Sequence, residues 1–165
     1  MKDGYIQQVG APKEIYDNPN NIFVGGFIGT PPMNFIEGQV NDDGFFVCGD
    51  HKLGVSRIKV PEAKLKLLTE QNYIEKPIIL GIRPEDIHDE NIVLETYNDA
   101  RVKLKVDVSE LLGAETLINA VMNGQNLVAK VNARTDIHMG DDIEVAFDMN
   151  KCHFFDPETE LRIKR

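Results

Sequence analysis

Apolar positions along this chain recur mostly with the two-residue period of a strand. From Ala100 to Leu112, Val102, Leu104, Val106 and Val108 alternate with Arg101, Lys103, Lys105 and Asp107, which predicts a half-buried strand with one apolar face. Ile78 to Ile82 is an unbroken apolar run and predicts a strand buried on both faces. Shorter runs surround these two: Met33 to Val40, Phe45 to Cys48, Lys52 to Val55, Glu115 to Met122, Gln125 to Val131, Ile143 to Phe147, Cys152 to Phe155 and Leu161 to Ile163. Turn formers separate them, among them Asn41 to Gly44, Gly49 to His51, the hairpin pair Asn123 and Gly124, Met139 to Asp141, Asn150 with Lys151, and Asp156 to Thr159. Short strands at this spacing predict a mainly β chain, an OB-like antiparallel barrel over residues 34–165 preceded by short helices.

The period changes at two places. Near the start, Pro12 suits the first position of a short helix that Pro19 ends, and Asn20 or Asn21 can cap the next one. That second helix carries Phe23 and Phe27 four apart, as are Val24 and Ile28, giving one apolar stripe. Gly29 can close it in a left-handed conformation, and Pro31 with Pro32 prevents it from resuming before Met33 and Asn34 open the first strand. Gly25 and Gly26 inside this helix predict that another backbone passes close by. Further on, Pro61 to Glu70 interleaves Ala63, Leu65, Leu67 and Leu68 with charges and predicts a third short helix. Asp3 and Gly4 form a hairpin signal with a strand-like run, Tyr5 to Val9, after it and only two residues before it, so residues 1 to about 10 are expected to be poorly anchored, with their partner strand upstream.

Composition narrows the possibilities. The chain has 165 residues, of which 42% are hydrophobic and 27% charged, as in an ordinary soluble domain with a core of useful size. A net charge of -9 disfavours a nucleic-acid partner, and the basic clusters Lys64 to Lys66 and Arg162 to Arg165 read as short, solvated stretches. Cys48 and Cys152 lack metal-site spacing, which fits reduced thiols in a cytoplasmic setting.

A nucleotide-hydrolysing site needs a glycine-rich loop ending in Lys and Ser or Thr, and the chain has none. His51, His88, His138 and His153 show no pairing at metal-ligand spacing, and Ser56 and Ser109 lie in no strand-to-helix elbow. Leu111 to Glu115 sits between two strands and reads as a turn at Gly113, with Glu115 free to meet a partner or to form a buried ion pair. The run Gly81, Ile82, Arg83, Pro84, Glu85, Asp86 is more specific. Pro84 ends the buried strand and aims Arg83 and Glu85, so this pair is expected to lock a corner of the barrel by a charge-assisted bond.

Three stretches together resemble a known family. Gln8 to Pro19, continuing through Phe23 to Gly29 and Pro32 to Phe35, resembles the junction between the nucleotide-binding domain and the C-terminal regulatory domain in ATP-binding subunits of sugar-import ABC transporters of the maltose-transporter type. Gly81 to Glu85 and Leu112 to Thr116 are similar to two further hallmarks of that regulatory domain, in the right order. The resemblance implies an OB-type barrel of the TOBE class over residues 34–165, with residues 1–33 as the tail of the nucleotide-binding domain and a helical linker. It implies a domain without catalysis or cofactor of its own, ATP and magnesium belonging to the parent's other domain. The implied partners are a second copy of the chain, its own nucleotide-binding domain, the membrane permease subunits and a regulatory protein, at the cytoplasmic face of the membrane. Gly81, Arg83, Pro84, Glu85, Gly113 and Glu115 are the structural or regulatory candidates, and Phe23, Phe27, Gly29, Pro32, Met33 and Asn34 the linker candidates. The alternative is an oxyanion-binding barrel of the molybdate type with Arg83, Lys103 and Arg134 as ligands. An OB-type nucleic-acid binder is a third reading, which the charge balance disfavours.

Overall fold

A computed structural model of the chain describes residues 1–133 and 136–165. Two six-residue helices, α1 (Pro12–Asp17) and α2 (Ile22–Phe27), lead into the strands β1 (Asn34–Val40), β2 (Phe45–Asp50) and β3 (Gly54–Lys59). Helix α3 (Glu62–Glu70), strand β4 (Pro77–Ile82), the two-residue β5 (Ile87–His88) and helix α4 (Asn91–Thr96) follow. The rest is strand: β6 (Arg101–Leu112), β7 (Glu115–Met122), β8 (Gln125–Asn132), β9 (Asp142–Phe147) and β10 (His153–Phe155).

Among the described residues the strands form two five-stranded antiparallel sheets, in the orders β10-β4-β1-β2-β3 and β5-β9-β6-β7-β8. In the second sheet β8 returns beside β5, so the mainly β fold includes a nearly closed five-stranded barrel. The uninterrupted apolar run becomes β4, an inner strand of the first sheet, with β1 on one side and β10 on the other. Ile36, Phe46, Leu80 and Ile82 from the first sheet and Leu104, Ile118 and Phe147 from the second lie in one continuous core. Leu68 of α3 is buried in the same core.

Where β1 meets β8, two side-chain amides do the work of a backbone ladder. Asn34 donates through Nδ2 to the Val128 carbonyl and accepts the Val128 N–H at Oδ1, both at 2.8 Å. Gln125 treats Glu37 likewise, accepting its N–H at 2.8 Å and donating to its carbonyl at 2.9 Å. A buried polar side chain is stable only when its donors and acceptors are met, and Asn34 meets both.

Several expectations shift. Tyr5 to Val9 is not a strand; Lys2 and Tyr5 make a single bridge around the Asp3–Gly4 turn. This segment is nonetheless fastened, since Gln8 bonds the Asn18 carbonyl and the Asn20 N–H, and Gln7 accepts from Asn21. The strand expected at Lys52 to Val55 lies at Gly54–Lys59 instead, because Asp50 Oδ1 accepts the N–H groups of both Lys52 and Leu53 at 2.8 Å and holds those residues in a turn. A bulge between Val106 and Val108 breaks the alternation of β6 and leaves Val108 exposed. Leu161 to Ile163 makes single bridges, Leu161 with Asn21 and Arg162 with Phe155, and is not a sheet strand. Residues 84–100, which carry no clear periodicity, hold β5, α4 and two 3-10 turns.

Leu80 is fully buried on β4, an inner strand flanked by β1 and β10. Leu80→Ala should therefore cost roughly 2–5 kcal/mol, read as a lower urea midpoint at unchanged m value.

Candidate functional site at the seam between helices and sheet

Six-residue helices do not persist alone in water, so α1 and α2 must be held by what they touch. Asn21 caps α2, its side chain accepting the Val24 N–H at 2.9 Å, and Val24 turns inward. Gly25 is tight because a Cβ there would stand 3.1 Å from the Phe35 ring and 3.3 Å from the Met33 sulfur. Side chains leave little room for a Cβ, and the expected passing backbone is that of Met33, whose N–H donates to the Gly25 carbonyl at 3.3 Å. Phe23 and Phe27 stack at 5.6 Å, but Phe27 is 70% exposed, so their stripe faces outward in part. Pro32 is exposed, whereas Met33 is buried.

The seam centres on Arg83, which follows β4 and is only 3% exposed. Its Nη1 donates to the carbonyls of Gly25 at 3.2 Å and Ile28 at 2.5 Å, and its Nη2 to the Tyr16 carbonyl at 2.9 Å. The guanidinium also lies 4.1 Å from the centre of the Tyr16 ring, a cation–π contact. The Tyr16 hydroxyl donates to Glu85, so both charged members of the motif converge on one tyrosine of α1. The expected Arg83–Glu85 bond is therefore absent: both side chains are spent on α1 and α2. Pro84 is buried and opens the 3-10 turn Pro84–Asp86 that aims the two neighbours.

Glycine is required at two points of this arrangement. Gly29 has φ +111°, and a Cβ there would lie 2.9 Å from Arg83 Nη1. At Gly81 a Cβ would lie 2.6 Å from the Phe155 ring and 2.7 Å from the Met33 sulfur.

Burial lowers the Arg83 pKa, against the pull of Asp86 and Asp17. Burial likewise raises Asp86 to about 6, opposed by Lys151, whose ammonium is 3.8 Å away. His153 on β10 sits beside the Asp17 carbonyl at 2.7 Å, and burial first, then the cations Arg162, Lys64 and Arg83, lowers it to about 4.

Other candidates lie outside the seam. Gly113, at φ +65°, turns β6 into β7, and Glu115 forms an exposed ion pair with Lys130 at 3.0 Å, where a buried one was one expectation. Lys103 is exposed on β6 opposite Glu144 and Arg83 is closed in by carbonyls, so these two oxyanion candidates do not share a cavity; the third, Arg134, lies outside the described residues. Among the described residues no cluster of His, Cys, Asp and Glu could hold a metal ion. Burial pushes the thiols of Cys48 and Cys152 up to about 11 and about 12, which makes both poor nucleophiles. Sequence reasoning missed Tyr16, and the one available signal was an aromatic residue on a helix too short to bury it.

Comparison with known proteins returns to the same segment. A model of the MalK OB fold domain matches residues 29–87 and a TOBE domain model matches residues 80–155, so the two overlap across Arg83. Over 164 residues, 99% of its length, the chain is 53% identical to the oligosaccharides import ATP-binding protein MsmX of Bacillus subtilis, of which it covers 43%. It is 44% identical over 98% of its length to the multiple sugar-binding transport ATP-binding protein MsmK of Streptococcus mutans, covering 41% of that protein. It is 37% identical over 96% of its length to the trehalose/maltose import ATP-binding protein MalK of Thermococcus litoralis, covering 42%. The chain thus spans about two fifths of the length of the relatives it matches.

Arg83→Ala removes the guanidinium donor from three carbonyls, of which only that of Gly25 is shown to keep another, the Met33 N–H. It should cost about 3 kcal/mol and lower the melting temperature by roughly 6–12 °C, with residues 12–29 becoming protease-sensitive; an unchanged melt contradicts the seam. Two titrations also oppose each other. The unfolded chain binds the His153 proton below pH 6.5 and the folded chain only below about 4, so this contribution is complete above 6.5 and lost as the pH falls. The folded chain keeps the Asp86 proton up to about pH 6 and the unfolded chain only to 3.8, so that contribution is complete below 3.8 and lost as the pH rises through 6. Urea denaturation at about pH 4.5 and about pH 7 should show His153→Gln gaining stability in acid relative to the parent chain, and Asp86→Asn losing it.

Proposed function

The chain belongs to the MalK-type OB-fold and TOBE domain family, whose models together cover residues 29–155, and on that premise we propose that it is the non-catalytic regulatory and dimerisation region of the ATP-binding subunit of a carbohydrate ABC importer. Similarity along 99% of the chain to an oligosaccharide import ATP-binding protein carries this reading. In it, residues 1–33 are the tail and helical linker of the nucleotide-binding domain, and residues 34–165 the regulatory barrel. ATP and magnesium are handled by the part of the parent that the chain does not span. No described helix is long and apolar enough to cross a membrane, and the reading places the subunit on the cytoplasmic face, held there by permease subunits.

A regulatory domain of this kind must transmit position from motor to barrel, which calls for a stiff link. The Arg83 clamp supports that role, because it joins both linker helices to the end of β4. It must also offer a surface to its copy and to an inhibitory protein. Beyond the bulge, the β6–β7 hairpin exposes Val108, Leu111 and Leu112, an apolar end on a chain of net charge -9.

Two measurements test the reading. Replacing the matching portion of MsmX with this chain should preserve growth on an imported oligosaccharide, and a folded chimera that fails to transport overturns the assignment. Sedimentation of the chain should show dimers forming with rising concentration, weakened by Leu111→Glu with Leu112→Glu at unchanged melting temperature; a monomer at millimolar concentration removes the dimer interface.

A further inference from the structure

The fold brings together two basic clusters that lie about a hundred residues apart. Lys64 of α3 and Arg162, Lys164 and Arg165 of the last segment line one cleft of about 640 Å³ with Lys13 and Lys151. Arg83 forms part of its wall. Seven of the chain's 18 basic residues therefore face one cavity, against three of its 27 acidic ones, Asp17, Glu85 and Asp86. The cleft is locally cationic on a chain whose net charge is -9. Lys66, Lys164 and Arg165 are exposed, in keeping with the reading of these clusters as solvated, and the fold adds that Lys64, Arg162, Lys164 and Arg165 share one cleft.

The partners of the cations sharpen the point. Lys13, Lys151 and Arg165 each have a carboxylate partner, in Asp17, Asp86 and Glu70. Four others spend their donors on neutral oxygens: Lys64 on the Cys152 carbonyl, Arg162 on the Pro19 carbonyl, Lys164 on Asn20 Oδ1, and Arg83 on its three carbonyls. Among the described residues none of these four has a carboxylate within ion-pair distance, so their charge is hydrogen-bonded but not neutralised. Arg83 Nε is fully buried and has no acceptor among the described residues, so Arg83 adds positive charge behind the cleft wall and no donor within it. Burial is the main cause of the depressed pKa of His153, and Arg162, Lys64 and Arg83 lower it further.

We propose that this cleft binds a small organic anion carrying a phosphate group. Ammonium heads on flexible stems suit a phosphate dianion, which several point charges can share. The volume falls in the range of small-molecule sites, and Asn18 and Asn150 offer amide contacts above a floor of Met33, Leu67 and Phe154. A polar body with a phosphate at one end, as in a hexose phosphate, meets all three linings. This site lies between α1, α3 and the C-terminal segment and not inside the barrel, and it involves neither Lys103 nor Arg134. It goes beyond the importer reading, since anion binding to the chain does not depend on what the parent protein transports.

Calorimetry at low, constant ionic strength tests it with glucose 6-phosphate, inorganic phosphate and glucose as probes. Saturable binding of glucose 6-phosphate and none of glucose is the expected result. Phosphate binding as tightly as the sugar phosphate assigns the site to the phosphate group alone, and weaker phosphate binding assigns it to the whole metabolite. Lys64→Gln and Lys164→Gln, each confirmed as folded by its melt, should weaken binding roughly tenfold, and Lys103→Gln on the other sheet should leave it unchanged. Absence of saturable heat with the folded chain at millimolar probe overturns the proposal, as does binding that neither cleft variant weakens.

Discussion

A buried guanidinium whose acceptors are backbone carbonyls is a demanding constraint, and the helical lead-in depends on it. Arg83 reaches the carbonyls of Tyr16, Gly25 and Ile28 only if α1 ends, α2 ends and β4 ends at one place. Hydrogen bonds to a charged donor are worth about 1.5–3 kcal/mol each, more than the intrinsic stability of a six-residue helix. The helices therefore exist because the sheet supplies their anchor. Gly29 and Gly81 keep this meeting point free of side-chain bulk, one beside the guanidinium and one beside Met33 and Phe155.

Much of the sheet architecture could be read from periodicity. The alternation in β6, the apolar run of β4 and the Asn123–Gly124 turn all report local preferences that the fold keeps. The bulge after Val106 could not be read, because one added residue turns the remainder of the strand to the opposite face without altering the hydrophobic pattern. Residues 84–100 were opaque for a related reason: 3-10 turns and a two-residue strand are too short to establish a period. At the seam, Arg83 and Glu85 stood out as a pair, but their real partners did not. A carbonyl acceptor has no sequence signature, since every residue carries one. The basic cleft was hidden by distance along the chain, as Lys64 and Lys164 meet only once α3 and the last segment have packed.

Two regions of the molecule differ in chemistry. One is polar and fastened by charge, with the helices clamped to β4 and a cationic cleft beside them. The other is the β6–β7 hairpin, apolar at its tip and exposed after the bulge. A solute in the cleft would touch α1 directly through Lys13 and Tyr16.

The amides of Asn34 and Gln125 give the boundary between the sheets a mechanical character of its own. Backbone ladders resist shear because their donors and acceptors ride on stiff peptide planes, whereas these bonds ride on side-chain torsions that can swivel without breaking. The join between β1 and β8 is therefore held by groups that can re-aim within a rotamer well, while Asn123 and the shared core tie the two sheets elsewhere.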